Sequence, residues 1–70
     1  MNDEMLKQLI SDVIESAEEV RNKSPLSEFE RGMLLAYRDV LKMFQIDLTT
    51  FGPENYGLDF DVDDRYMILK

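Results

Sequence analysis

Four aspartates near the C-terminal end have the spacing in this sequence that is most typical of a binding site. Asp59, Asp61 and Asp63 alternate with apolar residues, and Asp64 follows directly. A D-x-D-x-D spacing begins the calcium loop of an EF-hand, in which alternate oxygens converge on the ion. The rest of that loop is missing, because its sixth position holds Asp64 instead of glycine and its twelfth holds Lys70 instead of glutamate. We therefore predict no metal site.

The alternation itself favours an extended segment with one apolar and one acidic face. Leu58, Phe60 and Val62 occupy the positions between the aspartates, and a period of two is typical of a strand. Residues on one face of a strand repeat about every 6.6 Å. Carboxylates at that interval imitate successive phosphates and suit a basic groove on a nucleic-acid-binding protein. A solvated face that only keeps the protein soluble is the simpler alternative.

Catalytic chemistry finds little support in the sequence. It contains no histidine and no cysteine, which removes the usual general acid–base and thiol groups. Its serines lie in no nucleophile motif, and it has no glycine-rich phosphate loop. We predict a protein that is not an enzyme, with no catalytic or cofactor-binding residues and no cofactor.

The net charge limits the classes of partner. It is −7, from 15 acidic and 8 basic residues. Such a surface repels nucleic acid and anionic membranes, and it permits a basic protein partner. Further acids extend the aspartate surface: Asp12, Glu15, Glu18, Glu19 and Glu54. No apolar run approaches the roughly 20 residues of a membrane span, and Asp3 and Glu4 replace the basic start of a signal peptide, so we expect a cytoplasmic protein.

The first predicted helix spans residues 3–22 and has one buried face. Its apolar residues recur at intervals of three and four: Leu6, Leu9, Ile10, Val13, Ile14, Ala17 and Val20. Asn2 or Asp3 caps its start. Pro25 interrupts the helical pattern, because it lacks an amide hydrogen and restricts the preceding residue. The link is short, which predicts an antiparallel pair of helices.

The second predicted helix spans residues 27–48 and carries two apolar seams. Ser27 and Glu30 form a capping box at its start, with Ser24 as the alternative cap. The first seam comprises Phe29, Met33, Ala36, Val40 and Met43. The second seam comprises Leu34, Tyr37, Leu41, Phe44 and Leu48. The two seams are offset by about 100°, so one neighbouring helix covers only one of them.

The first seam is predicted to pack on the first helix. Gly32 lies beside this seam with Ala36, although glycine costs about 1 kcal/mol in a helix interior. Small residues let helix backbones approach closely, which would explain Gly32; tolerance near the helix start is the alternative. The second seam is predicted to form the interface of a homodimer. In the alternative, the tail folds back over it through its own apolar residues: Phe51, Tyr56, Leu58, Phe60 and Val62.

The resulting fold prediction is an all-α single domain over residues 1–70. It is an antiparallel two-helix hairpin, followed over residues 49–70 by a loop and an extended acidic tail, with or without one short strand. The tail ends in an apolar cluster, residues 66–69. A chain of 70 residues without disulfides has a thin core, so we expect two hairpins to form a four-helix bundle.

A run in the second helix resembles a segment of small bacteriophage and mobile-element proteins of Gram-positive bacteria. The similar pattern is E-R-G-x-L-L-A-Y-x-x-V-L, from Glu30 to Leu41. This resemblance implies a short accessory protein that binds and redirects a host protein, and it carries no established active site.

Two functions are therefore predicted. The first is a small acidic protein-interaction module, such as an inhibitor or modulator, that binds a basic host protein through Asp59, Asp61, Asp63 and Asp64. The alternative is a structural or assembly accessory that acts through its oligomer interface, with the acids serving only solubility.

Overall fold

A computed structural model describes residues 2–23 and 25–67 of the chain. It contains helix α1 (Asp3–Arg21), helix α2 (Glu28–Asp47), a 3₁₀ helix (Pro53–Tyr56) and a short helix α3 (Val62–Arg65). The two long helices lie within one residue of their predicted bounds and pack on each other. None of the described helices is long and apolar enough to cross a membrane.

Polar side chains define both ends of α1. The Asn2 side chain accepts a hydrogen bond from the Met5 amide over 2.8 Å, which satisfies one of the free donors of the first turn. Asp3 and Glu4 in the first turn and Arg21 in the last turn match the charges that a helix dipole favours. Of the two caps proposed from the sequence, Asn2 is the one observed.

The predicted capping box begins α2. The Glu30 amide donates to the Ser27 hydroxyl over 3.1 Å, and the Ser27 amide donates to the Glu30 carboxylate over 3.0 Å. Lys23 adds an ion pair to the same carboxylate over 3.1 Å. The Ser27 amide and then Lys23 hold the pKa of Glu30 below its usual value. This arrangement fixes the link between the two long helices.

The tail is folded, and the extended segment predicted from its alternating pattern is wrong. Among the described residues none forms a strand. Asp61 caps α3 instead, and its carboxylate accepts a hydrogen bond from the Asp64 amide over 3.1 Å. The buried residues are Leu58, Val62 and Tyr66, four residues apart, which suits a helical turn. Residues 68–69 of the predicted apolar cluster lie outside the described residues.

The core has three contributors, and the tail is one of them. It is formed by Ile10, Ala17 and Val20 of α1, Leu34, Leu41 and Leu48 at or next to α2, and Leu58, Val62 and Tyr66 of the tail. The tail therefore covers the second seam within one chain. This is the arrangement predicted as the alternative to the homodimer. No dimer is needed to bury this seam, and the structure gives the four-helix bundle no support.

The assignment of the first seam to the first helix is wrong. Phe29 is 76% exposed and Met43 is 55% exposed, and Ala36 is exposed as well. Met33 and Val40 are half-buried at the edge of the core. The helix pair instead packs through the second seam, whose other flank the tail covers. The first seam then lies at the open side of the hairpin.

Polar bonds fasten the tail to both long helices. The Gln45 side-chain amide donates to the carbonyls of Leu58 and Phe60, over 3.1 and 2.8 Å. The Arg21 guanidinium donates to the Arg65 carbonyl over 2.9 Å. These bonds satisfy backbone carbonyls that the irregular tail leaves without partners in secondary structure.

Gly32 does not mark a close approach of two helices, contrary to the prediction. It is exposed, and a Cβ atom built on it would meet no other atom within 4 Å. The alternative, tolerance near the start of α2, fits these surroundings.

We accordingly expect Gly32→Ala to stabilise the protein by about 0.5–1 kcal/mol, because alanine restricts the unfolded chain and creates no clash. Urea unfolding followed by circular dichroism measures this change. A loss of stability would mean that something covers Gly32 in solution. Gly57→Ala is the contrasting variant, since its φ of 84° penalises any side chain.

Candidate functional site

The four predicted interaction residues of the tail do not form one row. Asp61 is the cap of α3, and Asp63 pairs with Lys42 of α2 over 3.0 Å. Asp59 and Asp64 are exposed. Because Asp63 and Asp64 belong to α3 and Asp61 caps it, the regular phosphate-like spacing expected of a strand is absent. Two of the four already stabilise the fold.

The predicted oligomer interface lies inside the chain. Leu34, Leu41 and Leu48 are buried, while Tyr37 and Phe44 are half-buried against the same core. A partner would have to displace the tail to reach the three leucines. The surface of the hairpin that remains available is therefore elsewhere.

A buried tyrosine and an ion pair join the tail to α1. The Arg65 guanidinium donates to the Glu18 carboxylate over 3.0 Å, and the Tyr66 hydroxyl is buried with no hydrogen-bond partner among the described residues. Partial burial raises the pKa of Glu18, but hydrogen bonds from Arg65 outweigh it and the pKa lies below its usual value. Burial, and then the Glu18 carboxylate, raise the pKa of Tyr66 to about 12. Tyr66 is buried and the Arg65–Glu18 pair lies at the surface beside it, and together they hold the tail on α1.

An acidic stripe runs along the outer surface of α1. It comprises Glu4, Asp12, Glu15 and Glu19, all exposed. At 100° per residue these positions fall within an arc of about 80°, opposite the buried face. Within residues 2–23 and 25–67 no basic side chain forms a salt bridge with any of them. Their negative charge is therefore directed at solvent.

An uncovered apolar surface, here called the open face, lies on the side of the hairpin away from the tail. Its members are Met5 and Leu9 of α1 and Phe29, Met33, Val40 and Met43 of α2. The contacts of the tail show which face of each long helix is covered, and the open face lies on the opposite side. In α1, Lys7 lies over the Tyr56 ring at 5.9 Å, and in α2 Gln45 holds the tail carbonyls.

Helical geometry separates the open face from the tail. Residues two positions apart on a helix differ by about 200°, which is close to the opposite side. Met5 and Leu9 each lie two positions from Lys7, and Met43 lies two positions from Gln45. Because α1 and α2 are antiparallel neighbours that share one core, these residues lie on the same side of the hairpin.

A shallow groove occupies the α1 part of this surface. It has a volume of about 320 Å³ and is lined by Met5, Gln8, Leu9 and Asp12. Met5 is 59% exposed, and the Gln8 side chain donates to Asp12 over 2.9 Å. In the part of the chain that the structure describes, no cluster of three or more side chains could hold a metal ion.

Comparison with protein-family models, curated proteins and solved structures finds no match to this chain. Function is therefore inferred from the arrangement of the residues themselves.

Sequence reasoning missed the open face because it placed most of these residues inside the protein. One signal pointed to it. The chain has five methionines, a flexible residue often found at binding surfaces, and Met5, Met33 and Met43 belong to the open face.

Proposed function

We propose that this chain is a small acidic protein-interaction module that binds a basic protein. The observation that carries the proposal is the acidic stripe of α1, four exposed carboxylates on one face of a helix without a basic partner among the described residues. Unpaired carboxylates on a rigid helix attract a basic surface and orient it during encounter. The exposed aspartates Asp59 and Asp64 are a second, separate acidic surface.

The proposed partner is a protein of the host cell. The segment from Glu30 to Leu41 resembles small phage and mobile-element proteins, which supports a role as an inhibitor or modulator of a host protein. Competition with nucleic acid for a basic groove is one way in which the acidic stripe would act.

A structural or assembly role through self-association is the second candidate, and the open face favours it. Four exposed apolar residues lie on this side of the hairpin, Met5, Leu9, Phe29 and Met43, beside the half-buried Met33 and Val40. In this alternative the acids keep the protein soluble and the helices make the contacts.

Neutralising the acidic stripe tests the first function. The triple variant Asp12→Asn, Glu15→Gln and Glu19→Gln is nearly isosteric, and all three positions are exposed, so the fold should be preserved. We expect the immobilised wild-type chain to retain one basic protein from a lysate of the cells that carry its gene. The triple variant should lose at least about 90% of that capture, which corresponds to tenfold weaker binding.

The matched control neutralises the other acidic surface, by Asp59→Asn and Asp64→Asn. Capture that survives the triple variant but fails in this control assigns the interaction to the tail. Capture unchanged by either variant refutes an acidic interaction surface, and no retained protein refutes the interaction module.

A further inference from the structure

The open face has acidic borders. Asp12 follows Leu9 by three residues and Met5 by seven, and Asp47 follows Met43 by four and Val40 by seven. These spacings place both carboxylates on the same helix faces as the apolar residues. Glu19, seven residues after Asp12, extends the first border. Asp39, four residues before Met43, lies beside the second, where it is paired with Arg38 over 3.8 Å.

Four of the basic side chains lie on the tail side of the hairpin. Lys7, Arg21, Lys42 and Arg65 all contact the tail or belong to it. Lys23, at the linked end of the hairpin, is paired with Glu30. These positive charges therefore lie on the tail side of the hairpin, whereas the acidic borders lie on the side of the open face.

One of these acids opposes the local preference of its helix. Asp47 is the last residue of α2, whose final turn contains no basic residue. A carboxylate at a helix C-terminus meets the negative end of the dipole and is unfavourable there. A residue that breaks a local rule without a compensating contact is typical of a functional position.

We infer that the open face binds an amphipathic α-helix of a partner protein, with lysine or arginine on both flanks of its apolar stripe. This inference rests on the proposed function and names its class of partner. The apolar stripe packs over Phe29, Met43 and Leu9, and the flanking cations meet the acidic borders. Helices α1 and α2, of 19 and 20 residues, provide a surface about 30 Å long, which suits a partner helix of some 18 residues.

Charge disfavours a second copy of this chain as the occupant. A symmetric dimer through the open face would bring the acidic borders of both copies together. Of the described cations near these borders, Lys23 is held by Glu30 and Arg38 is paired with Asp39. Like charges facing each other in an interface are unfavourable, whereas a basic helix neutralises them.

The experiment uses the full chain with labelled methionine methyl groups and an 18-residue helical peptide of leucine and lysine. We expect the methyl signals of Met5, Met33 and Met43 to shift on binding. Met67, which is 56% exposed in the tail, is the internal reference that should not move. A peptide with glutamate in place of lysine should bind at least about tenfold more weakly.

Two exposed phenylalanines provide a matched pair of variants. Phe29→Ser on the open face should weaken peptide binding about tenfold, whereas Phe51→Ser in the loop, 66% exposed, should leave it unchanged. Asp12→Asn together with Asp47→Asn should weaken binding and reduce its salt dependence.

Equal binding of both peptides, or a shift of Met67 with no shift of Met43, would overturn the inference. So would sedimentation as a dimer that Met43→Ser converts to an 8.2 kDa monomer. If stripe-dependent capture from the lysate persists while the peptide does not bind, only the helical partner is refuted. If no protein is captured at all, the proposed function fails as well.

Discussion

Leu58→Ala is expected to lower the free energy of unfolding by about 2–5 kcal/mol, the range for removing a buried leucine side chain. Leu58 is 1% exposed and belongs to the shared core, although it lies in the irregular tail. A domain of this size has a total stability of only a few kcal/mol. The variant should therefore be largely unfolded at 37 °C.

Phe51→Ala is the control for this prediction, because Phe51 lies in the preceding loop and is mostly exposed. Its effect should stay within about 0.5 kcal/mol, as is usual for a surface position. Chemical unfolding monitored by circular dichroism at 222 nm measures both variants. Similar small losses for the two would show that the tail is an appendage on a hairpin that folds without it.

The second large effect is a loss of stability at alkaline pH that depends on Tyr66. Burial and Glu18 raise the pKa of Tyr66 to about 12, against about 10 in the unfolded chain. The folded state therefore keeps this proton longer than the unfolded state does. The contribution of Tyr66 to the free energy of unfolding is fully present below pH 10 and is lost as the pH rises from 10 to 12. Two pKa units correspond to roughly 2–3 kcal/mol.

Tyr66→Phe isolates this contribution. At pH 7 the variant should be at least as stable as the wild type, because a hydroxyl buried without a partner among the described residues carries a desolvation cost that phenylalanine avoids. Between pH 10 and 12 it should lose less stability than the wild type. Thermal unfolding across this range provides the comparison, and parallel pH profiles for the two proteins would contradict the assignment.

Tyr56 has a smaller role in the same range. Desolvation, and then the nearby Asp3 carboxylate, raise its pKa, and its hydroxyl donates to Asp3 over 3.2 Å. Tyr56→Phe should therefore change the alkaline profile less than Tyr66→Phe, because this hydrogen bond is exposed.

The two long helices were predictable because their signals are local. Asn2, Ser27 and Glu30 act on amides three residues away, and Pro25 disrupts the helical pattern through its own backbone. The spacing of apolar residues then specifies the buried arc of α1 except at Leu9, which was predicted to be buried and is 41% exposed. No knowledge of the remaining chain is needed for any of these features.

Which of the two seams of α2 is buried depends on contacts with residues that are distant in the sequence. Both seams have a heptad spacing, and Leu41 is buried while Met43 is exposed only because the tail packs on one flank of the hairpin. That flank is selected by Gln45, Arg21 and their carbonyl partners in the tail. Such contacts join residues that are distant in the sequence. The apolar periodicity of a single helix does not predict them.

The tail was wrongly predicted to be extended because its apolar residues alternate with aspartates over only a few positions. Leu58, Phe60 and Val62 alternate with aspartates, but the same stretch also fits Leu58, Val62 and Tyr66 at a spacing of four. Over five residues the two patterns are difficult to separate. The cap formed by Asp61 decides in favour of the helical turn, and it removes that aspartate from the predicted acidic row.

The fastening of the tail has a consequence for the order in which the molecule folds. The hairpin closes over a link of a few residues, whereas the pair Arg65–Glu18 joins positions 47 residues apart. Loop closure costs more entropy for the longer connection, so the contacts beside the link form at lower entropic cost than the Arg65–Glu18 pair does. A hairpin whose tail is not docked would leave Leu34, Leu41 and Leu48 without this cover, and exposed apolar surface of that kind promotes aggregation.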